Sequence, residues 1–194
     1  MDKLDELIRF SAEIDKMKSV YRHTLLIDKS REETDAEHSW HLATMVMLFK
    51  DYAPKGADID RCIKMALVHD LVEIYAGDTF AYDVQGYESK AQREEEAAQK
   101  LFSMLPDNQG EEYKLLWQEF DKEETPDALY TCSLDRLQPL INNYLTQGHT
   151  WKDGFVTYDK VVKRQQVIRK AMPELWIKVE EMLDDSVAKG WLKK

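Results

Sequence analysis

Met65-Ala66-Leu67-Val68-His69-Asp70-Leu71-Val72-Glu73-Ile74 is the stretch from which the rest of the 194-residue chain is read. The run over residues 58–74 is apolar on nearly every side, which predicts a helix at the centre of a helical bundle. His69 and Asp70 interrupt that apolar surface. Burying an imidazole beside a carboxylate is costly unless the two are paired or share a cation. Taken alone, the dipeptide is better explained as a hydrogen-bonded core pair, because so short a motif often arises by accident. Glu73 follows His69 by four residues and Asp70 by three, so on a helix it projects from the same side. A lone helical glutamate is usually exposed, but Val72 and Ile74 mark this stretch as buried, and Gly77-Asp78-Thr79 turns the chain beside it.

Outward from this segment the punctuation is sparse. Glycines 56, 77, 86, 110, 148, 154 and 190 and prolines 54, 106, 126 and 173 all fall between stretches with helical patterning. Period-2 alternation is nearly absent, so the expected fold is all-α, one helical bundle in a single domain. A first helix is expected over 2–17, with Leu4, Leu7, Ile8, Ser11 and Ile14 on one face, followed by a polar connection over 21–33. Thr34-Asp35-Ala36-Glu37 reads as a capping box opening a second helix, whose apolar face carries Leu42, Met45, Val46 and Phe49. A loop over 75–87 precedes a charged helix over 88–105. Two helices bracket Thr125-Pro126, a good N-cap and first-turn pair, and the last two cover 157–170 and 173–189.

The charge balance narrows the partners. With 27 Lys and Arg against 37 Asp and Glu, the net charge is -10, which disfavours nucleic acid and anionic membranes. No run approaches the roughly 18 apolar residues of a membrane span. Met1-Asp2-Lys3-Leu4-Asp5-Glu6 lacks the start of a signal peptide, so a cytoplasmic location is expected. Cys62 and Cys132 sit in apolar helical stretches and read as packed thiols.

Two further residues strengthen the reading of His69-Asp70 as half of a metal site. His38 lies on the opening turn of the second helix, where the helix N-terminus favours the neutral, ligating imidazole. Glu37 is accounted for as the capping acid. Asp135 lies beside the apolar face formed by Tyr130, Leu134, Leu137 and Ile141; spacing alone leaves it open between a ligand and a solvated or capping acid. Pro139 removes the N–H that would bond the Asp135 carbonyl, which predicts a bend. Two neutral imidazoles and two carboxylates suit a hard-to-borderline divalent ion and leave coordination positions open. Of the other histidines, His41 is one turn from His38 and is expected behind it, while His23 and His149 are expected to be exposed.

The blocks Arg22-His-Thr24, Arg31-Glu-Glu-Thr-Asp-Ala-Glu-His-Ser-Trp-His-Leu42, His69-Asp-Leu-Val-Glu-Ile-Tyr-Ala-Gly-Asp-Thr79 and Leu134-Asp-Arg-Leu-Gln-Pro139 resemble the HD-domain metal-dependent phosphohydrolases, in the branch of the bacterial 5'-deoxynucleotidase and HD-domain-containing protein 2. The resemblance implies one HD domain over 1–194, with a metal-site core at about 20–145 and C-terminal helices at about 157–189. It implies one divalent ion (Mn, Co, Mg, Fe or Zn) held by His38, His69, Asp70 and Asp135, with Glu73 in catalysis and Arg22 on phosphate. Asp78 and Thr79, on the adjoining turn, are expected to bind sugar hydroxyls or to hold Glu73. Where the family's deoxynucleotidases carry a tryptophan beside the arginine, this chain has His23 and Thr24, which argues against strict deoxyribose selectivity. The implied activity is a 5'-nucleotidase releasing phosphate from (deoxy)nucleoside 5'-monophosphates, with a small nucleotide as partner and a homodimer as the implied assembly. The alternatives are hydrolysis of a triphosphate, pyrophosphate or phosphodiester, or a non-catalytic nucleotide-binding module; the chain keeps all the ligands and Glu73, which weighs against the last.

Overall fold

A computed structural model describes residues 2–194. Among them, regular structure is helical apart from a two-stranded antiparallel sheet, β1 (Tyr21–Leu25) with β2 (Glu32–Thr34), and an isolated bridge between Thr157 and Lys193. The hairpin replaces the irregular connection expected over 21–33. Strands this short leave too little alternation to register in sequence. Asp28 holds their turn by accepting the Ser30 N–H at 2.9 Å.

Helix α1 (Lys3–Glu13) runs into a 3-10 turn (Ile14–Ser19) instead of continuing as α-helix to 17. Its expected face is only partly the one used: Leu4 and Ile8 are each 61% exposed. Phe10 is buried in their place, edge-on to Tyr113 with ring centroids 6.2 Å apart, so the larger aromatic surface sets how the helix is rotated.

Helix α2 (Asp35–Leu48) starts where the capping box predicts. The Thr34 hydroxyl accepts the Glu37 N–H at 3.4 Å, and the Glu37 carboxylate accepts the Thr34 N–H at 3.0 Å. Arg31 donates to both Glu37 oxygens, which keeps that acid in a structural role. Removing the Thr34 hydroxyl should lower the unfolding free energy by about 1 kcal/mol. Urea unfolding of Thr34→Ala, with Thr34→Ser recovering most of the loss, checks this; an unchanged midpoint for Thr34→Ala would show that the cap contributes nothing.

Helix α3 (Ile59–Val68) opens on Asp58, whose carboxylate accepts the N–H groups of Asp60 and Arg61. It packs against α2, α6 (Gln109–Lys122) and α7 (Pro126–Leu145), although Leu67, at 49% exposure, shows that burial is not complete all round. The continuous helix expected to 74 ends at Val68. The next turns tighten to three-residue bonds, Leu71 N–H to Val68 O, Glu73 N–H to Asp70 O and Ile74 N–H to Leu71 O, before α4 (Glu73–Ala76). Tightening changes the angular spacing of His69, Asp70 and Glu73 from that of an ideal α-helix.

Gly77, at φ +75°, redirects the chain toward Asp78. Helix α5 (Val84–Phe102) begins earlier than expected because Asp83 caps it, accepting the Gln85 N–H at 3.1 Å. Thr125 caps α7 as predicted, accepting the Ala128 N–H at 3.1 Å, with Pro126 in the first turn. The C-terminal part forms α8 (His149–Asp153), α9 (Tyr158–Arg164), α10 (Gln166–Ala171) and α11 (Pro173–Ala188), so the single helix expected over 157–170 is interrupted at Gln165.

Side chains from α3 and α7 enter both of two apolar cores. One contains Leu42, Tyr130, Leu134, Trp151 and Val179; the other contains Phe10, Met65, Leu101, Trp117 and Ala128. Cys62 and Cys132 are free and buried, as expected. No helix among the described residues is long and apolar enough to cross a membrane.

Candidate metal centre

The first turn of α2, the end of α3 and the middle of α7 bring His38, His69 and Asp135 together, with one ligand atom of each within 4.8 Å of the others. His38 Nε2 lies 2.9 Å from Asp135 Oδ1, and His69 Nε2 lies 3.6 Å from the same oxygen. Asp70 Oδ2 sits 3.0 Å from His69 Nε2 and 3.8 Å from His38 Nε2, while also accepting from Arg22 at 2.8 Å. The four residues expected to bind metal therefore share one small, largely buried volume.

The outer hydrogen bonds fix both imidazoles. The Gln138 amide nitrogen donates to Glu33 Oε1 at 2.6 Å and faces His41 Nδ1 at 3.2 Å, so its oxygen is the acceptor opposite His38 Nδ1, at 3.1 Å. That places the His38 proton on Nδ1 and the lone pair of Nε2 toward Asp135. His69 Nδ1 likewise donates to the Ala66 carbonyl at 2.9 Å. Both Nε2 atoms thus lie close to carboxylate oxygens, His38 to Asp135 and His69 to Asp70, an arrangement that favours positive charge between them. His69 Nε2 is buried and has no aligned hydrogen-bond partner among the described residues. Burial alone favours the neutral His69 ring, yet Asp70 and Asp135 outweigh it and push its pKa up to about 10. Burial also opposes ionisation of Asp70 and Asp135. The imidazoles, joined at Asp70 by Arg22, nevertheless hold both carboxyls below the usual range. The centre selects positive charge, and this donor set fits a divalent cation.

A second carboxylate group adjoins the first. Asp35, Glu73 and Asp78 offer oxygens within 4.8 Å of one another and could themselves hold a cation. Asp35 Oδ2 and Glu73 Oε2 are buried without a hydrogen-bond partner. Burial, reinforced by the charges of Asp70, Asp35 and Asp78, pushes Glu73 well above the carboxylate range. Burial and the Asp70 charge push Asp35 up to about 6, and burial raises Asp78. Arg22, brought in by β1, bridges the two groups. Its guanidinium reaches Asp70 at 2.8 Å and Asp35 at 3.3 Å, with Nε 4.0 Å from Glu33. Burial works against its charge, but the surrounding carboxylates more than offset this.

A cleft of about 640 Å³ opens on this constellation, and a smaller pocket of about 70 Å³ shares Arg22, Asp78 and Thr79 with it. The Thr79 hydroxyl accepts from Arg93 at 2.9 Å, and Arg93 also donates to the carbonyls of Ala76 and Gly86, so this arginine fixes the turn that carries Asp78. His41 lies behind His38 through Gln138, while His23 and His149 are exposed. His23 packs against Phe80 with the rings tilted by 48° and their centroids 4.9 Å apart, beside the smaller pocket.

Asp35, Glu33, Gln138 and Arg93 were not expected here, nor was Lys90, which lines the cleft paired with Glu94. The capping box concealed Asp35 by already explaining that stretch. Gln138 left one signal, a neutral amide one turn beyond Leu134 on the buried side of α7. Because it fixes the ring and tautomer of His38, Gln138→Leu should weaken metal affinity about 10–100-fold. Titration with Mn and Zn checks this, and wild-type affinity would remove Gln138 from the account.

A family model described as HD domain matches residues 14–176. The human protein named 5'-deoxynucleotidase HDDC2 is 32% identical over 122 residues, 63% of this chain and 56% of that protein. Its mouse namesake is 30% identical over 136 residues, 70% and 67% of the two chains. The match thus spans little more than half of the human relative. A crystal structure from Magnetospirillum magnetotacticum, described as a predicted metal-dependent phosphohydrolase, has a TM-score of 0.95 at 45% identity, covering 99% of this chain and 96% of that one. A conserved hypothetical protein from Pyrococcus furiosus, 18% identical with a TM-score of 0.60 over 93% and 99% of the chains, shares the fold. Since the family match takes in His38, the His69-Asp70 pair and Asp135 alike, the chain belongs to the HD-domain family.

Proposed function

We propose that the protein is a divalent-metal-dependent 5'-nucleotidase that releases inorganic phosphate from (deoxy)nucleoside 5'-monophosphates. The observation that carries this reading is the close approach of two buried Nε2 atoms to Asp70 and Asp135, with Arg22 at the edge of the same cleft. The relatives named 5'-deoxynucleotidase support the choice of monophosphates. His38, His69, Asp70 and Asp135 would hold the cation, which the unpartnered Nε2 of His69 fits. When bound, a divalent cation supplies Lewis acidity toward a phosphoryl oxygen and the attacking water. Mn, Co, Mg, Fe and Zn are all compatible with two imidazoles and two carboxylates.

The chain's own residues divide the remaining work. Arg22 is held through Nη1 by Asp70 and Asp35, so its guanidinium offers a fixed positive charge to the phosphoryl group at the edge of the cleft. Glu73, whose proton affinity is raised, takes the proton of the water as its oxygen bonds to phosphorus. The bond from phosphorus to the 5'-oxygen breaks, and a proton reaches that oxygen as the nucleoside leaves. Asp78 and Thr79 line both cavities beside Arg22, where they meet the ribose. The exposed His23 leaves the sugar side open, so both ribose and deoxyribose substrates are accommodated. In a chain of net charge -10, Arg22, beside the proposed cation, supplies the local positive charge that draws the phosphate in.

Phosphate release from a panel of nucleoside mono-, di- and triphosphates, repeated with Mn, Co, Mg and Zn, tests the proposal. Monophosphates should be turned over, with activity lost on chelation and restored by metal. Preferred turnover of di- or triphosphates would replace this reading by another phosphohydrolase activity.

A further inference from the structure

Beyond the catalytic cleft lies a second recess of about 470 Å³ whose charge is opposite to that of the protein as a whole. Lys160, Lys163, Arg164 and Arg136 line it, with Asp83 as the one acid, and Asp83 is occupied in capping α5. Arg136 is ion-paired with Glu123. Lys160, Lys163 and Arg164 have no ion-pair partner among the described residues. Attraction to the carbonyl end of α9 accounts for Lys163 and Arg164 in its last turn, but not for Lys160, one turn earlier, lining the same recess. The recess adjoins the catalytic cleft, because Tyr87, Arg136 and Arg164 line both cavities. A cleft of about 640 Å³ already suffices for a mononucleotide, so the proposed reaction leaves the recess without an occupant.

We infer that this recess is a second anion subsite, and that the protein prefers nucleoside 5'-phosphates bearing an additional phosphate away from the scissile one, on the ribose 3' position. The inference rests on the 5'-nucleotidase reading. In the reaction, the oxygen of water bonds to the 5'-phosphorus, the bond from phosphorus to the 5'-oxygen breaks, and the departing oxygen takes up a proton. The products are inorganic phosphate and a nucleoside 3'-phosphate, whose remaining phosphate stays with Lys160, Lys163 and Arg164 until release.

The test compares adenosine 5'-monophosphate with adenosine 3',5'-bisphosphate in the metal-loaded wild type and in the Lys160→Gln/Lys163→Gln double variant. The wild type should favour the bisphosphate in kcat/KM by about tenfold, the order expected from several exposed ion pairs acting together. The double variant should lose that preference and keep its turnover of the monophosphate. Equal kcat/KM values in the wild type, or a preference that survives the substitutions, would overturn the subsite while the nucleotidase reading stands. Phosphate release from neither substrate would overturn both. A further arm adds free inorganic phosphate to the monophosphate assay. Stimulation abolished in the double variant would make the recess an effector site and overturn the substrate preference.

Discussion

Asp70→Ala is expected to lower phosphate release by about a thousandfold or more while the helical fold survives. Asp70 contributes in three directions, to His69 at 3.0 Å, to His38 at 3.8 Å and to Arg22 at 2.8 Å. Its loss removes one proposed anionic ligand and leaves Arg22 to the weaker contact with Asp35 at 3.3 Å. A ligand worth several kcal/mol of transition-state stabilisation corresponds to three or more decades in rate. The fold does not depend on the carboxylate, because the apolar residues around it, Met65, Val68, Leu71 and Val72, belong to the core in their own right. Circular dichroism should show unchanged helicity, and metal titration should show weakened binding. Phosphate release at the wild-type rate would remove Asp70 from the active site.

The second large effect is at Glu73. Glu73→Gln keeps shape and hydrogen-bonding capacity but cannot accept a proton, so kcat should fall about 10²–10⁴-fold with metal retained. Stability should not fall with it. Glu73 shares a buried space with Asp35 and Asp78, and replacing it by an amide relieves the like-charge pressure on both. Activity lost at constant or higher unfolding free energy is the signature of a residue kept for chemistry at the expense of stability. Parallel loss of turnover, metal affinity and stability would instead make Glu73 a structural support.

The parts of the fold read correctly from sequence are those where a local rule and tertiary packing agree. The α2 start was legible because Thr34 and Glu37 satisfy each other's backbone N–H groups without help from the rest of the chain. The α7 start was legible for the same reason at Thr125-Pro126. The hairpin was not, since β1 and β2 are fixed by pairing with each other more than by alternation. The rotation of α1 depends on Tyr113, about a hundred residues away, which periodicity cannot see. The end of α3 illustrates a subtler limit: a strongly apolar run gives no warning that its hydrogen bonds tighten after Val68. At the site, residue type and spacing singled out His38 and His69-Asp70, whereas Asp135 needed the family resemblance. Asp35 was illegible and Gln138 left only its place on the buried side of α7, because each acts through partners on another element, Asp35 beside Glu73 and Gln138 against His38.

The proposed chemistry requires His38, His69, Asp70 and Asp135 to bind one divalent cation jointly in the active protein. An anomalous-difference map from crystals of the manganese-loaded protein tests it most directly. A peak is expected at bonding distance from Nε2 of both histidines and from carboxylate oxygens of Asp70 and Asp135. An active preparation whose manganese peak lies away from those four side chains, with both Nε2 atoms left unligated, would contradict it.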